Sequence, residues 1–193
     1  VLVDFVSGVV NQVLIDLKDP EKPDRKETGG ITKLGKLKKA ISESPGEVII
    51  GLQHVQKASN PVNKALRAYM YSEFGDNQDW WANLPWMPGG KQIWNMIKDH
   101  DPFILTAPMG IGSELGKQDW IDNNLTPSPR KVFMSHDKWK WSAPSHILID
   151  DFTKNIGPWR EKGGIGIHNV INLDTGLPVD ISGILTQISN YIN

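Results

Sequence analysis

The fold is decided by the stretch FILTAPMGIGSELGKQDWIDNNLTPSPRKVFM, residues 103–134. It opens on a short apolar run that ends at Thr106, continues with a helical pattern over 113–123, and closes on a second apolar run over 131–134. A strand, a helix and another strand in succession are typical of a parallel sheet, because parallel neighbours need a crossover connection. The stretch therefore predicts an α/β fold.

The same alternation continues toward the C-terminus. Residues 146–149 predict a further buried strand, which ends in Asp150 and Asp151, and residues 166–168 predict a brief fourth strand. A closing helix follows over 181–192. Strands that alternate with helices predict one parallel sheet covered on both faces.

The N-terminal half predicts helices and loops. From Val6 the apolar residues fall at offsets 0, 3, 4, 7, 8 and 11, which is one face of an amphipathic helix. Residues 18–30 are charged and rich in Pro and Gly, and they predict a loop. Residues 34–41 predict a solvated helix, and 45–74 an inserted subdomain with a short apolar run at 48–50 and a helix from Val62.

Composition excludes several classes of function. Lys and Arg number 21 and Asp and Glu 22, for a formal charge of -1, so overall charge recruits the chain neither to nucleic-acid polymers nor to anionic membranes. With no Cys there is no disulfide, thiolate nucleophile or zinc-thiolate cluster, as suits a reducing cytoplasm. No apolar run approaches the ~20 residues of a membrane span, and the start lacks signal-peptide features. We expect a soluble, cytoplasmic protein.

Polar residues follow the three clearest predicted strands. Thr106 follows the first, Lys138 the second, and Asp150-Asp151 the third. In an open parallel sheet these strand ends meet at one rim, which is where ligands bind. Adjacent carboxylates favour a bound Mg²⁺, and an ammonium beside them favours phosphate. Each residue alone is commonly a turn or cap residue, so the prediction of phosphate chemistry depends on the joint pattern.

Three segments carry a family resemblance: residues 103–109, 135–138 and 148–151. They resemble the second, third and fourth motifs of the haloacid dehalogenase-like phosphatases, most of all the 5'(3')-deoxyribonucleotidases. The tail, with Asn155, Trp159, Gly163-Gly164, Ile167 and His168, is similar to the segment after the acidic pair in bacterial and phage-type members. The resemblance implies a Rossmann-like three-layer α/β/α core with a parallel sheet and a small, mainly helical cap subdomain. It divides the chain into a first core helix at 1–17, a cap at 18–87 and the core at 88–193.

The first motif of that family, Asp-x-Asp-Gly on the first strand, has no full counterpart. The opening VLVDF, residues 1–5, resembles the run just after that motif. The resemblance therefore implies that the nucleophilic Asp and its strand precede Val1. Asp4 is the alternative nucleophile, but Val6 would then replace the second Asp, and valine transfers no proton. We interpret Asp4 as a helix-start residue.

The resemblance also implies roles for the site residues. The preceding Asp forms an aspartyl-phosphate, and its partner protonates the leaving ribose oxygen and later activates water. Asp150 holds Mg²⁺, Asp151 orients the metal's waters or Lys138, and Thr106 and Lys138 hold the phosphoryl oxygens. The expected substrate contacts are Phe5, Trp80, Trp81, Ala107 and His136; the two tryptophans are equally compatible with packing the cap on the core.

Three functions stay open at this point. The first is a Mg²⁺-dependent phosphatase of (deoxy)nucleoside monophosphates, with a small-molecule nucleotide as its partner and a homodimer left open. The second is a catalytically silent nucleotide-binding module that has lost the nucleophile. The third is a sugar-phosphate phosphatase of the same superfamily, since fold alone does not fix substrate.

Overall fold

Helices fill the first half of the chain, and short strands alternate with helices in the second. The structure is a computed structural model that describes residues 2–3, 5–24, 26–44, 61–172 and 176–192. The described helices of the first half are α1 (Phe5–Lys18), α2 (Lys33–Glu43), α3 (Pro61–Phe74), α4 (Gln78–Ala82) and α5 (Gly90–Ile97). A 3₁₀ turn at Lys98–His100 follows α5.

The second half contains two strand–helix–strand units. The first unit is β1 (Phe103–Thr106), α6 (Ile111–Asn124) and β2 (Lys131–Met134). A 3₁₀ turn at Lys138–Trp141 leads to the second unit, which is β3 (Ile147–Asp150), α7 (Thr153–Glu161) and β4 (Ile165–His168). The described chain closes with α8 (Ile181–Ile192).

Each unit forms a two-stranded parallel sheet. β1 pairs with β2, so that Thr106 lies opposite Met134. β3 pairs with β4, so that Asp150 lies opposite His168. Within the described ranges these are two separate sheets, and β1 is not paired with β3.

The helices of the first half pack through their apolar faces. α2 begins at the cap residue Thr32, whose Oγ1 accepts a hydrogen bond of 2.9 Å from the Gly35 N–H. One buried cluster joins α1, α2 and α3, and its most enclosed members are Val13, Leu37, Leu66, Tyr69 and Phe74. The cluster fixes α1 against the two helices that follow it.

α6 lies close against α4 and the turn before it. A Cβ at Gly112 would stand 2.1 Å from the Asp76 carbonyl carbon, and one at Gly116 would stand 2.6 Å from Trp81 Cβ. Any larger residue at either position would force the two helices apart. This close approach sets α6, and the loop between β1 and α6, against the aromatic residues of α4.

Most of the predicted elements are confirmed, and three expectations are wrong. The patterns correctly located α1, α3, α6, α8 and all four strands. The helix at 34–41 is not simply solvated, because Leu34, Leu37 and Ala40 are buried against α3 and α1. The strand at 103–105 is not buried: Phe103 is 41% exposed. The described strands form two sheets instead of one.

The apolar run at 48–50 lies outside the described residues.

None of the helices in the described ranges is both long and apolar enough to cross a membrane. The structure shows a mixed helix-and-strand fold with two small parallel sheets.

A buried carboxylate in α1 gives a testable link between α1 and α3. Asp16 is 1% exposed and accepts hydrogen bonds from the Tyr69 hydroxyl, from Gln12 Nε2 at 2.9 Å and from Lys22 Nζ at 2.9 Å. Burial by itself raises the pKa of Asp16, but these hydrogen bonds outweigh it and hold the pKa below its usual value.

We predict that Asp16→Asn lowers the free energy of unfolding by about 2 kcal/mol at pH 7, because the donors around it lose a charged acceptor. The folded pKa is depressed, so this stabilisation is present above the ordinary Asp pKa of about 4 and is lost as pH falls through the folded value. Urea unfolding from pH 2 to 7 measures it. Asp24→Asn is the control, because the Asp24 side chain is 55% exposed and pairs with Lys38. This variant should change the free energy of unfolding by less than about 1 kcal/mol. Equal losses in the two variants would contradict the role of Asp16.

Candidate functional site

An ion pair joins the carboxyl ends of β2 and β3. Lys138, four residues beyond β2, places its Nζ 2.6 Å from Oδ2 of Asp150, the last residue of β3. The Asp150 side chain is 2% exposed and that of Lys138 is 14% exposed. Because both strands end at this contact, the two sheets present their carboxyl ends to the same rim.

Asp150 is held in a fixed orientation from its other side. Its Oδ1 accepts hydrogen bonds from the Phe152 N–H and from Asn155 Nδ2, both at 2.9 Å. The carboxylate therefore meets three donors from the protein, counting Lys138. These hydrogen bonds fix the orientation of the carboxylate. Its negative charge lies next to the ammonium of Lys138.

Asp151 is placed differently from its neighbour. Its side chain is exposed, and the residue lines a cavity at this rim. Its backbone carbonyl accepts a hydrogen bond of 3.1 Å from His168 Nε2, at the end of β4. The Asp150 carboxylate is therefore buried, whereas Asp151 lines the cavity.

The cavity at the rim has a volume of about 1170 Å³. Of the residues that sequence reasoning selected, seven line it: Phe5, Trp81, Thr106, Ala107, His136, Lys138 and Asp151. Asp150 lies behind it and reaches it through Lys138. These seven residues share one large cavity, which also extends along the whole of β1 and along residues 147–149 of β3.

Trp80 is the predicted substrate contact that is not among the lining residues. Its ring stacks on Phe74 with centroids 4.3 Å apart, and it packs against the cluster of α1, α2 and α3. Phe5 does line the cavity and stacks on Trp81 with centroids 5.0 Å apart and planes 8° apart. Phe5 and Trp81 form the aromatic wall of the site.

Sequence reasoning missed a second cation, Lys117. Its Nζ donates a hydrogen bond to the Ala107 carbonyl and lies 4.5 Å from the centre of the Trp81 ring. Burial, and after it the positive charge of Lys138, lowers the pKa of Lys117 to about 8. Two ammonium groups that share a cavity attract an anion between them.

A signal for Lys117 was present in the sequence. On α6 it follows Ser113 by four residues and precedes Trp120 by three, and both of those residues are buried. Residues at this spacing share one helix face. A lysine on the inward face of a helix that follows a site strand is a candidate ligand-binding residue.

The loop between β1 and α6 is held by Ser113. Its Oγ accepts hydrogen bonds from the Met109 N–H at 2.6 Å and the Gly110 N–H at 3.0 Å. The side chain is fully buried. This anchoring fixes the segment that carries Thr106 and Ala107 relative to Lys117.

The expected Mg²⁺ does not fit the described residues by themselves. In the ranges that the structure describes, no three His, Asp or Glu residues are grouped as metal ligands. Asp150 already accepts three hydrogen bonds, and its Oδ2 faces Lys138. A divalent ion here would need at least one further carboxylate beside Asp150.

The pKa of Lys117 gives a prediction for anion binding. Sulfate carries two charges across the range of the test, so its own titration does not interfere. We predict that sulfate affinity falls about tenfold as the pH rises from 7 to 9, because Lys117 loses its proton near pH 8 and with it a charge-assisted hydrogen bond. Isothermal titration measures the Kd.

Lys117→Arg is the matched variant, since guanidinium stays charged throughout. It should keep sulfate binding constant up to pH 9, whereas Lys117→Met should bind weakly at every pH. A wild-type affinity that is the same at pH 7 and pH 9 would contradict the placement of Lys117 at the anion.

Comparison with models of protein families, with curated proteins and with solved structures found no match for this chain. The functional interpretation of the site therefore rests on the side chains around the cavity. The strongest of these features are two ammonium groups: that of Lys117 on the Ala107 carbonyl, just after β1, and that of Lys138 on Asp150, at the end of β3.

Proposed function

We propose that this protein binds nucleoside monophosphates in the cavity and hydrolyses their phosphate ester. One observation carries the proposal: Lys117 and Lys138 border the same cavity as the Thr106 hydroxyl and the ring of Phe5. Ammonium groups and a hydroxyl suit phosphoryl oxygens, and an aromatic face suits a base. The proposal therefore assigns the phosphate to the two lysines and Thr106, and the base to Phe5.

Each described residue has a separate task in this proposal. Lys138 and Thr106 hold phosphoryl oxygens, and Lys117 supplies a second positive charge whose strength depends on pH. Asp150 positions Lys138 through the 2.6 Å contact and does not itself touch the substrate. Asp151 lines the cavity, and its proposed task is to orient water.

The nucleophile is proposed to be an aspartate that precedes Val1. Its carboxylate oxygen attacks phosphorus, the bond to the ribose oxygen breaks, and that oxygen leaves with a proton from a neighbouring acid. Water then cleaves the aspartyl-phosphate to free phosphate. Asp4, the alternative nucleophile, lies outside the described residues.

The proposed reaction requires Mg²⁺, and the activity test below checks this requirement. The same preceding aspartate would supply the carboxylate that the described residues lack. The proposal also includes a single three-layer α/β/α core for residues 1–17 and 88–193, with 18–87 as a cap. Parallel pairing in both units is consistent with such a core. α1 packs against α2 and α3, which belong to the segment assigned to the cap.

The activity test uses the protein with its natural N-terminus. We expect Mg²⁺-dependent release of phosphate from dUMP and dTMP, and a loss of at least 100-fold in kcat/KM for Lys138→Met, since phosphoryl-binding groups contribute roughly that much. Lys140→Met is the control, because Lys140 is exposed and pairs with Asp137.

Two outcomes would replace the proposal. Nucleotide binding without turnover would favour the silent binding module. Faster turnover of sugar phosphates than of dUMP and dTMP would favour the sugar-phosphate phosphatase.

The aromatic wall gives a second prediction. We expect Phe5→Leu to raise KM for nucleoside monophosphates about tenfold, because base stacking contributes roughly 1–3 kcal/mol, and to leave KM for a small artificial phosphate ester unchanged. Trp80→Phe is the matched control: Trp80 contacts Phe5 edge-on, with centroids 5.9 Å apart, but does not line the cavity. Equal effects of Phe5→Leu on both substrates would make Phe5 a packing residue only.

A further inference from the structure

A second, smaller cavity lies where α2 begins beside α3. It has a volume of about 560 Å³, and we call it the basic pocket. Three of its six lining residues carry a positive charge and none carries a negative charge. The lining residues are Lys33, Lys64, Arg67, Ala68, Tyr71 and Ser72.

One face of α3 supplies most of the basic pocket. Its lining residues in α3 fall at offsets 0, 3, 4, 7 and 8 from Lys64, which is a single helical stripe. The buried residues of α3, Leu66 and Met70 among them, share one apolar cluster with α2. Because the two helices are packed together, Lys33 at the start of α2 is held beside the stripe.

The three cations of the basic pocket are not neutralised by acids. Within the described ranges, none of them takes part in an ion pair. Other lysines of α2 differ in this respect, since Lys38 pairs with Asp24 at 2.7 Å and Lys39 with Glu43 at 3.6 Å. Positive charge is therefore concentrated at the pocket, although the whole chain carries a formal charge of -1.

The local contacts orient these cations without offsetting their charge. The Cζ atom of Arg67 lies 5.7 Å from the centre of the Tyr71 ring, a cation–π contact with a neutral partner. The next acid along α3, Glu73, lies 3.5 Å from Lys22 and does not line the pocket. The Ser72 hydroxyl donates to the Tyr69 carbonyl at 2.9 Å.

This placement of charge is unfavourable for both helices. α2 begins with Lys33, and neither α2 nor α3 has an acid in its first turn. A cation near a helix N-terminus opposes the helix dipole. Lys64 and Arg67, three residues apart on one face, also repel each other. A bound anion would relieve both effects.

We propose that the basic pocket binds a diphosphate group through Lys33, Lys64 and Arg67. One phosphate group carries about 1.5 to 2 negative charges at pH 7, so two groups are needed to neutralise three cations. Ammonium and guanidinium groups donate charge-assisted hydrogen bonds to phosphoryl oxygens, and a guanidinium can donate two at once. This site is separate from Lys117 and Lys138, neither of which lines the basic pocket.

Tyr71 provides a way to detect occupation of the basic pocket. Its side chain lines this pocket and also the larger cavity. An anion that draws Arg67 toward itself changes the contact between the guanidinium and the Tyr71 ring. The ring signals of Tyr71 should therefore shift when the basic pocket is filled.

The test follows the binding of inorganic diphosphate at pH 7 by NMR in three proteins. They are the wild type, Lys64→Gln/Arg67→Gln, and Lys36→Gln/Lys39→Gln. The last variant is the matched control, because it removes two charges from exposed positions of α2 that lie outside the pocket.

The signals to be followed are present in all three proteins. They are those of the Lys33 side chain and the Tyr71 ring. Arg160 is the internal reference, because its Nε donates to the Gly166 carbonyl at 3.2 Å and it lines neither cavity.

We expect the Lys33 and Tyr71 signals of the wild type to follow one binding curve. The Kd for diphosphate should be at least about tenfold lower than that for inorganic phosphate. Lys64→Gln/Arg67→Gln should raise the Kd at least about tenfold, because two charge-assisted contacts are lost. The control variant should change it less than about threefold.

A second titration with dUDP distinguishes two sources of the diphosphate group. A lower Kd for dUDP than for inorganic diphosphate would identify a nucleoside diphosphate as the ligand. An equal or higher Kd would identify the free anion.

Three results would overturn the inference. One is an equal rise in Kd in the two double variants, which would indicate a general effect of net charge. Another is that inorganic phosphate binds as tightly as diphosphate. The third is that diphosphate shifts the signals of Lys117 and Lys138 but not that of Lys33. No readout depends on hydrolysis of a phosphate ester, so the inference stands or fails apart from the proposed function.

Discussion

The site depends on the contact between Lys138 and Asp150. The ammonium and the carboxylate lie 2.6 Å apart and are both largely shielded from water, at 14% and 2% exposure. A buried charge without a partner is strongly unfavourable, so each of these groups restricts where the other can lie. Because Lys138 follows β2 and Asp150 ends β3, this single contact fixes the carboxyl ends of two separately hydrogen-bonded sheets at one rim. Thr106, at the end of β1, is brought to the same rim by its pairing with β2.

The charge balance of the rim supports the proposed binding of an anion. Asp150 offsets the charge of Lys138, whereas Lys117 is held by a neutral carbonyl and an aromatic face. Lys117 therefore keeps an excess positive charge in a half-buried place, and its lowered pKa reflects that burial and the proximity of Lys138. A phosphate between the two ammonium groups would relieve this repulsion.

Local patterns in the sequence were enough to locate most helices and strands, because each depends on periodicity within one segment. The strand-end residues were also predictable, since parallel strands bring their carboxyl ends together whatever the details of packing. The separation into two sheets was not predictable, because strand pairing depends on contacts between distant segments. The enclosed position of Trp80 depends on α3, whose Phe74 provides the stacking surface, and no pattern around residue 80 reports that contact. Lys117 was missed because a lysine in a helix is ordinarily exposed, and only the burial of Ser113 and Trp120 on the same face distinguishes it.

We propose that Thr106, Lys117 and Lys138 surround one anion site. Amide and lysine side-chain NMR signals, recorded while inorganic phosphate is added at pH 7, test this arrangement. We expect the signals of all three residues to shift together and to follow one binding curve. Shifts confined to one of the three, or curves with different Kd values at Lys117 and Lys138, would contradict a shared site.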